Sequence, residues 1–315
     1  MDTQAPIGVL LMAYGTPESL DDVEPYYTHI RGGKRPPEDK IEDLRERYRR
    51  VGGRTPLLDI TRATAAGLQA RLDESAPGHY RVYTGMKHWH PYIGPVLEQM
   101  AADGVRQVLA VPLAPHYSRM SIGGYRKAVE AAQANIAAPL DVTFVERWHD
   151  NPRWRALIAD RVRTALSQLP PGPDSDLALI FSAHSLPERI REWQDPYPDE
   201  LLASAAGIAA LLDNPEWRFA FQSAGMTGEP WLGPDILTVL AGLPAEGKRR
   251  VLVAPIGFVC DHLEILYDID VECREAAAEH GLALVRTALP NATPEFIAVL
   301  ADIVEQYTRT PVAGA

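Results

Sequence analysis

Apolar residues along this chain gather into short runs that alternate with longer amphipathic stretches. Eight runs have the β-branched and aromatic content typical of strands, at 7–13, 80–85, 107–113, 141–146, 177–183, 218–223, 250–256 and 283–288. Segments between them, such as Pro152–Leu166, have the residue spacing of helices with one buried face. This alternation predicts parallel sheets with helices on both faces.

Proline-rich breaks interrupt the alternation near 112–115 and 170–173. Because of these breaks, two doubly wound lobes fit the chain better than one closed barrel. The predicted fold class is therefore α/β, with two parallel sheets.

Composition, charge and cysteine count disfavour several classes of protein. The chain has 315 residues, 46% of them hydrophobic and 23% charged, which is typical of a folded protein with a substantial core. No apolar run approaches the roughly 18 residues that span a membrane, and the N-terminus lacks the pattern of a signal peptide, so we expect a cytoplasmic protein. The formal charge of −11 argues against general binding to nucleic acids or anionic membranes. The two cysteines, Cys260 and Cys273, are too few for the usual iron–sulfur cluster, and we expect buried thiols.

An acidic segment stands out near the C-terminus. Residues 261–273 contain five acids and neither Lys nor Arg. A helix with about 100° per residue would place five acids on one face: Asp261, Glu264, Asp268, Glu272 and Glu275. Because like charges repel at this spacing, we favour a path for bound cations over the alternative, a plain solvated face.

A basic segment lies in the first third of the chain. Residues 31–54 hold nine basic and five acidic side chains, a local charge of +4. Such a segment could hold an anionic ligand, and a helix stabilised by Glu–Arg pairs accounts for it equally well.

Chemically useful residues follow several predicted strands. In open α/β folds ligands lie beyond the carboxyl ends of the strands. Tyr14 follows the first strand, His184 follows the fifth, and the seventh leads to Glu264. We therefore predict that these three converge. Imidazole and carboxylate together suit Fe(II) or Zn(II), and they also form a base with its partner.

Nucleotide-binding motifs are not supported. Residues 242–248, GLPAEGK, imitate a phosphate-binding loop, but Arg249 follows where Ser or Thr is needed, and the segment precedes a strand. No GxGxxG follows the first strand, which disfavours a nucleotide-binding Rossmann protein.

Several blocks of sequence, in order, resemble the ferrochelatase family and in particular its coproporphyrin III type. They are LLMAYGTP (10–17), YYTHIRGG (26–33), RYRRVGGRTPL (47–57), SAHSLPERI (182–190), DPYPD (195–199), WLGPD (231–235) and GFVCDHLEILYDID (257–270). The resemblance implies two Rossmann-like lobes with an active-site cleft between them. Residues 1–113 and 291–315 would form the first lobe, with helix Pro294–Arg309 returning to it, and 114–290 would form the second.

The resemblance also implies roles for individual residues. His184 and Glu264 would form the catalytic and metal-binding pair, and Asp268 and Glu272 an outer conduit for the metal. Tyr14 would face the metal from the other side of the macrocycle. The remaining expected substrate contacts, several of them to propionates, are Arg31, Arg47, Tyr48, Thr55 and Tyr125. Thr55 stands where the family is associated with serine, and it keeps the hydroxyl.

The implied reaction is insertion of Fe(II) into coproporphyrin III, a lyase step of haem biosynthesis. The segment 32–40, GGKRPPEDK, is too polar to insert into a bilayer, which favours this tetracarboxylate over protoporphyrin IX. Expected partners are coproporphyrin III, ferrous iron and downstream enzymes of the haem pathway, with no iron–sulfur cluster, nucleic acid or integral membrane contact. The alternatives are a chelatase for cobalt, nickel or another tetrapyrrole, and a non-catalytic metal- or haem-binding protein.

Overall fold

The computed structural model describes residues 5–225 and 228–309, with eight strands in that part of the chain. The strands are β1 (Ile7–Ala13), β2 (Tyr80–Met86), β3 (Gln107–Pro112), β4 (Asp141–Phe144), β5 (Leu177–His184), β6 (Trp217–Gln222), β7 (Arg250–Ala254) and β8 (Ala283–Arg286). The helices up to the middle of the chain are α1 (Val23–Ile30), α2 (Glu38–Arg50), α3 (Leu57–Ser75), α4 (Ile93–Ala102), α5 (Ile122–Gln133) and α6 (Pro152–Leu166). The remaining ones are α7 (Tyr197–Ala210), α8 (Ile236–Gly242), α9 (Leu263–Leu266), α10 (Arg274–Glu279) and α11 (Pro294–Arg309).

The described strands form two parallel sheets of four strands each. The first has the order β2-β1-β3-β4 and the second β6-β5-β7-β8. In each sheet the direction of chain progression reverses at the strand that comes first in sequence. The switch point lies between β1 and β3 in one sheet and between β5 and β7 in the other. In open α/β sheets, ligands bind at the carboxyl ends of such neighbouring strands. The predicted α/β fold class is confirmed.

The chain divides into two compact units, each built around one sheet. Unit 1 contains residues 5–42, 56–148 and 291–309, and unit 2 contains 43–55 and 149–290. The main boundary falls after Trp148, later than the predicted one after residue 113, because β4 pairs with β3 and so extends the first sheet.

Burial explains why the first strand of each sheet reads as an unbroken apolar run. Six of the seven residues of β1 and six of the eight of β5 are buried, as expected for parallel strands covered on both faces. In unit 1, α11 packs on α3 so closely that a β-carbon on Gly67 would lie 2.3 Å from Ile297 Cδ1. The Tyr80 and Thr308 hydroxyls, 2.8 Å apart, join the same helix to β2.

The acidic segment is not the continuous α-helix that the sequence predicted. Asp261 precedes α9, and residues Asp268–Cys273 form a π-helix in which Glu272 N–H donates to Tyr267 O over 2.9 Å, five residues back. Ile265, Ile269 and Cys273 pack in the core of unit 2. The prediction of five acids on one α-helical face is therefore wrong, because the helical register changes within the segment.

No helix in the described part of the chain is both long enough and apolar enough to cross a membrane.

Candidate functional site

His184 ends β5 with one ring nitrogen held by the backbone. Its Nδ1 lies within hydrogen-bond distance of Ser185 O, and Tyr197 Oη donates to His184 O over 3.0 Å. A carbonyl oxygen only accepts, so in neutral His184 the proton is on Nδ1 and Nε2 carries a lone pair. His184 is thus prepared to accept a proton or to bind a metal ion through Nε2.

Glu264 forms an ion pair with a histidine that the sequence argument overlooked. His262 Nε2 lies 2.5 Å from Glu264 Oε2, and His262 Nδ1 lies 2.8 Å from Cys260 O. Burial alone would raise the pKa of Glu264, but His262 and the more distant His184 lower it to about 2. Burial lowers the pKa of His262, and Glu264 outweighs that effect and raises it. Both ring nitrogens face acceptors, so the pair is imidazolium and carboxylate.

Two contacts hold Glu264 at the same end of the sheet as His184. The buried Gln222 side chain accepts from Ser182 Oγ over 3.0 Å and donates to Glu264 O over 2.8 Å, which joins β5 to α9. The loop after β7 lies against β5 so tightly that a β-carbon on Gly257 would be 2.6 Å from Ala183 Cβ. Glu264 is therefore held at the carboxyl end of the sheet that carries His184, near enough for His184 to lower its pKa.

Asp268 lies next along the acidic segment and is 7% exposed. It accepts a hydrogen bond from Ser223 Oγ, and Arg47 Nη1 lies 3.7 Å from its Oδ1. Burial raises the pKa of Asp268 to about 7; Ser223 and Arg47 act against that shift, and Glu264 and Glu272 add to it. Asp268 therefore resists carrying a charge at neutral pH unless a cation comes close.

Three further acids in and just after the segment pair with arginines from distant parts of the chain. Asp261 and Asp270 both pair with Arg286 on β8, and Glu275 pairs with Arg50 on α2. Two of the five acids predicted to share one face, Asp261 and Glu275, are therefore engaged in ion pairs with arginines.

The basic segment is held largely by local pairs. Arg35 pairs with Glu24 and Glu38, and Arg47 lies 4.9 Å from the Tyr267 ring centroid. Arg31, at the end of α1, is exposed, and its side chain makes no hydrogen bond or ion pair with any described residue. The structure thus places Arg47 beside the acidic segment.

Three residues expected to contact substrate are buried. Tyr48 is 2% exposed, and Thr55 and Tyr125 are also buried. Tyr48 and Thr55 belong to unit 2, whereas Tyr125, on α5, belongs to unit 1.

Tyr14 in unit 1 is surrounded by rings and one lysine. It is 39% exposed, its ring centroid lies 4.6 Å from that of His88, and Lys87 Nζ lies 5.7 Å from it. The same Nζ lies 5.4 Å from the Tyr125 ring centroid. Burial, then Lys87 and His29, lower the pKa of His88 to about 3, and burial lowers the pKa of Lys87.

A glycine permits this arrangement around Tyr14. Gly15 has φ +98°, and a β-carbon there would lie 2.8 Å from Trp89 N. Any other residue would be strained and would push away the strand end that carries Lys87 and His88.

Cys260 and Cys273 are free and buried, as predicted. Burial raises the pKa of Cys260 to about 12 and that of Cys273 still further, so both stay thiols. Within residues 5–225 and 228–309, no three His, Cys, Asp or Glu side chains form a group suited to a metal ion.

His262, Gln222 and Ser223 were missed by sequence reasoning. His262 lies within the acidic segment, two residues before Glu264, and an imidazole so close to a carboxylate could have been recognised there as its partner. Gln222 and Ser223 left no signal, because their contacts are with residues about 40 positions away.

Comparisons with known proteins agree on one family. The family model described as Ferrochelatase matches residues 6–308. A protein named Ferrochelatase from Herpetosiphon aurantiacus is 52% identical over 300 residues, which cover 95% of this chain and 98% of that protein. The Coproporphyrin III ferrochelatase of Geobacillus kaustophilus is 43% identical and covers 94% of each chain.

A solved structure shares the fold at low sequence identity. The sirohydrochlorin chelatase SirB of Bacillus subtilis subspecies spizizenii, in complex with cobalt, matches with a TM-score of 0.55 and 12% identity over 97% of each chain. That likeness supports the chelatase-like architecture alone, whereas the family match and the high identities decide membership. The chain belongs to the ferrochelatase family, lyases of haem biosynthesis that insert a metal ion into a porphyrin.

Proposed function

We propose that this chain inserts Fe(II) into coproporphyrin III. The observation that carries the proposal is the cationic turn after α1, where Arg31 and Lys34 are exposed and make no side-chain hydrogen bond or ion pair with described residues. Cations of this kind are suited to carboxylates, and coproporphyrin has four of them, two more than protoporphyrin. Relatives named coproporphyrin III ferrochelatase, 40–43% identical to this chain, support the same substrate.

The reaction exchanges one ferrous ion for two pyrrole protons. Fe(II) sheds its water, and the ring nitrogens must turn their lone pairs toward it. His184 acts through Nε2, whose single lone pair can take one pyrrole proton or bind the ion, and the protons that it does not take leave to water. Ionised Glu264 offsets the positive charge that either event produces beside it.

His262 keeps Glu264 ionised before the metal arrives. The pKa of Glu264, lowered to about 2, means that its carboxylate is charged throughout the neutral range. An arriving cation therefore meets a charge that is already present, and no proton has to leave Glu264 first.

Asp268 and Glu272 would supply the metal. Asp268, with a pKa raised to about 7, changes from carboxylic acid to carboxylate as a cation approaches, and Glu272 lies near enough to raise that pKa. The metal would pass from Glu272 to Asp268 and then to Glu264.

Tyr14 would contact the macrocycle. Its exposed ring offers an apolar surface to a porphyrin, and Tyr48, Thr55 and Tyr125 would line the substrate site together with Arg31 and Arg47. A cytoplasmic location and the absence of an iron–sulfur cluster stay predictions from the sequence.

An anaerobic spectrophotometric assay tests the proposal. Wild-type protein is mixed with Fe(II) and either coproporphyrin III or protoporphyrin IX in excess, with His184→Ala as the inactive control. We expect many turnovers with coproporphyrin, and a kcat/KM for protoporphyrin lower by about tenfold or more, since a charge-assisted contact is worth about 1.5–3 kcal/mol.

Two results would contradict the proposal. Equal or better use of protoporphyrin would remove the substrate assignment, and faster insertion of Co(II) or Ni(II) than of Fe(II) would remove the metal assignment. Binding of one equivalent without turnover would support a non-catalytic haem- or metal-binding protein.

A further inference from the structure

Arg286 is the last residue of β8, and its guanidinium is almost fully enclosed. The side chain is 13% exposed and makes a two-pronged contact with Asp270, from Nε to Oδ1 over 2.9 Å and from Nη2 to Oδ2 over 2.8 Å. Nη2 also donates to Asp261 Oδ1 over 3.0 Å, and Nη1 donates to Thr287 O over 3.1 Å. One cation thus binds two carboxylates and a carbonyl.

The two carboxylates lie on either side of the residues proposed to handle the metal. Asp261 comes directly before His262, and Asp270 lies in the π-helix two residues after Asp268. Glu264 lies between them. A single guanidinium therefore fixes both ends of the segment 261–270.

The anchor belongs to the same sheet as His184. Arg286 is paired with Val253 of β7, and Val253 is paired with Ile180 of β5, the strand that ends at His184. The sheet fixes Arg286 relative to His184, and the Arg286 guanidinium in turn fixes the segment that carries Glu264. Gln222 adds a contact to Glu264 O but leaves both ends of the segment to Arg286.

Arg286 also decides which acids face a cation. Asp261 and Asp270 are held by a guanidinium, whereas Glu264 pairs with the His262 ring and Asp268 lies 3.7 Å from Arg47 Nη1. Loss of the guanidinium would remove its charge from beside both carboxylates, leaving Asp270 with the contact to Arg274 Nη2 at 3.3 Å, and the two acids would then compete more strongly for the same divalent cation.

We propose that Arg286 is a positioning residue for metal insertion, which holds the segment 261–270 so that Glu264 faces His184 and keeps Asp261 and Asp270 from capturing the metal. This inference rests on the proposed metal-handling role of Glu264. Arg286 itself touches neither substrate nor metal.

Arg250 provides a matched control in the same sheet. Its side chain is also 13% exposed, and its Nε lies 2.6 Å from Asp176 Oδ1. Its Nη groups donate to Pro170 O and Pro173 O over 3.1 and 2.5 Å. Arg250 begins β7, so it lies at the end of the sheet opposite to His184. Loss of either arginine breaks a buried ion pair, but only the pairs of Arg286 are with residues of the segment that carries Glu264.

The experiment compares Arg286→Met, Arg286→Lys and Arg250→Met in steady-state kinetics and thermal unfolding. We expect Arg286→Met to lower kcat and to raise the KM for metal, together by about 10- to 100-fold in kcat/KM for metal, with the KM for porphyrin unchanged. Arg286→Lys should recover part of the loss because it keeps the charge. Arg250→Met should lower the thermal midpoint as much as Arg286→Met and leave the KM for metal unchanged.

A second readout does not depend on turnover or on folding of the methionine variant. Co(II) bound to the protein is followed by its visible absorption in wild type, Arg286→Lys and Asp261→Asn. We expect weaker Co(II) binding and an altered spectrum in Arg286→Lys, and a smaller change in Asp261→Asn, which removes one of the two carboxylates.

Equal kinetic losses in Arg286→Met and Arg250→Met would overturn the inference, since both would then act through stability alone. Co(II) spectra that are unchanged from wild type in both Arg286→Lys and Asp261→Asn would also overturn it. The kinetic test uses whichever metal and porphyrin wild type turns over, so an error in the proposed substrate would show in wild type and leave the test of Arg286 intact.

Discussion

The carboxyl ends of the two sheets carry different side chains although the strand order is the same in both. In unit 1 the edge after β1 and β2 holds Tyr14, Lys87 and His88, an aromatic and basic group. In unit 2 the corresponding edge holds His184, Glu264 and Asp268, and it is dominated by carboxylates. One architecture therefore supports two chemistries, and the loops that follow the strands decide which.

Electrostatics sharpen the contrast. Burial lowers the pKa values of Lys87 and His88, so the unit 1 edge resists positive charge. Burial raises the pKa of Asp268, so the unit 2 edge resists additional negative charge, and Glu264 is ionised because His262 pairs with it. A cation is favoured at the second edge and disfavoured at the first.

The largest effect is expected at His184. His184→Ala should abolish metallation, because loss of a proton acceptor alone costs about 10²- to 10⁴-fold in rate, while porphyrin affinity stays nearly unchanged. His280→Ala, an exposed histidine after α10 in the same unit, is the control and should retain activity. Insertion rates and porphyrin fluorescence quenching measure the two quantities; wild-type turnover in His184→Ala would remove this residue from the mechanism.

The next effect concerns the arginines. Arg31→Ala and Arg47→Ala should weaken coproporphyrin binding by about 1.5–3 kcal/mol each and slow the chemical step less. Arg47→Ala should also change the KM for metal, because Arg47 lies 3.7 Å from Asp268, whereas Arg31→Ala should not. Fluorescence titrations measure the affinities, and Arg71→Ala on α3 is the control. Unchanged affinity in both Arg31→Ala and Arg47→Ala would show that the basic segment is only a solvated face.

A smaller effect is expected from the outer acids. Replacement of Asp268 and Glu272 by Asn and Gln should raise the apparent KM for Fe(II) several-fold, with porphyrin saturation unchanged, because amides keep the shape and remove the charge. The effect should shrink at high salt, where the carboxylates are screened. Anaerobic saturation curves measure it, and Glu279→Gln on α10 is the control. Curves that overlay wild type at low and high salt would contradict the conduit.

The smallest expected effect is on the pH dependence of stability. It has opposite signs for His88 in unit 1 and Asp268 in unit 2. His88, with a pKa lowered from 6.5 to about 3, binds its proton more tightly in the unfolded chain, so its contribution to stability is lost as the pH falls through that window. Asp268, with a pKa raised from 3.8 to about 7, binds its proton more tightly in the folded chain, so its contribution is lost as the pH rises.

The variants His88→Asn and Asp268→Asn isolate these contributions. Relative to wild type, His88→Asn should be more stable at about pH 5 than at about pH 8, with a free energy of unfolding higher by on the order of 1–2 kcal/mol. Asp268→Asn should show the reverse. Chemical denaturation at both pH values is the measurement, and the same pH trend in both variants would refute the electrostatic contrast.

The strands were predictable because each is a compact apolar run buried on both faces. β1 and α6 have the bounds that the sequence predicted, and the other strands differ by a few residues at their ends. Which strands pair with one another could not be read from the apolar runs. β4 joins the first sheet through β3, a contact between residues far apart in sequence, and the predicted domain boundary fell before it.

The site was predictable where chemistry follows a strand directly and unpredictable where it depends on distant partners. His184 and Glu264 come from strand-end reasoning and from resemblance, and both lie at the carboxyl end of the second sheet. The acidic segment misled because its cations, Arg47, Arg50 and Arg286, lie outside it in sequence. The π-helix was equally hidden, since a change of register follows from tertiary packing and leaves the α-helical apolar spacing intact.

Helix α11 gives the protein an unusual order of assembly. It is the last described element of the chain, and yet it closes unit 1, where it packs against α3 and bonds to Tyr80. A ribosome adds about 5–20 residues per second from the N-terminus. All described residues of unit 2 are therefore made before α11 emerges. The half of the protein that is synthesised first becomes resistant to proteases last.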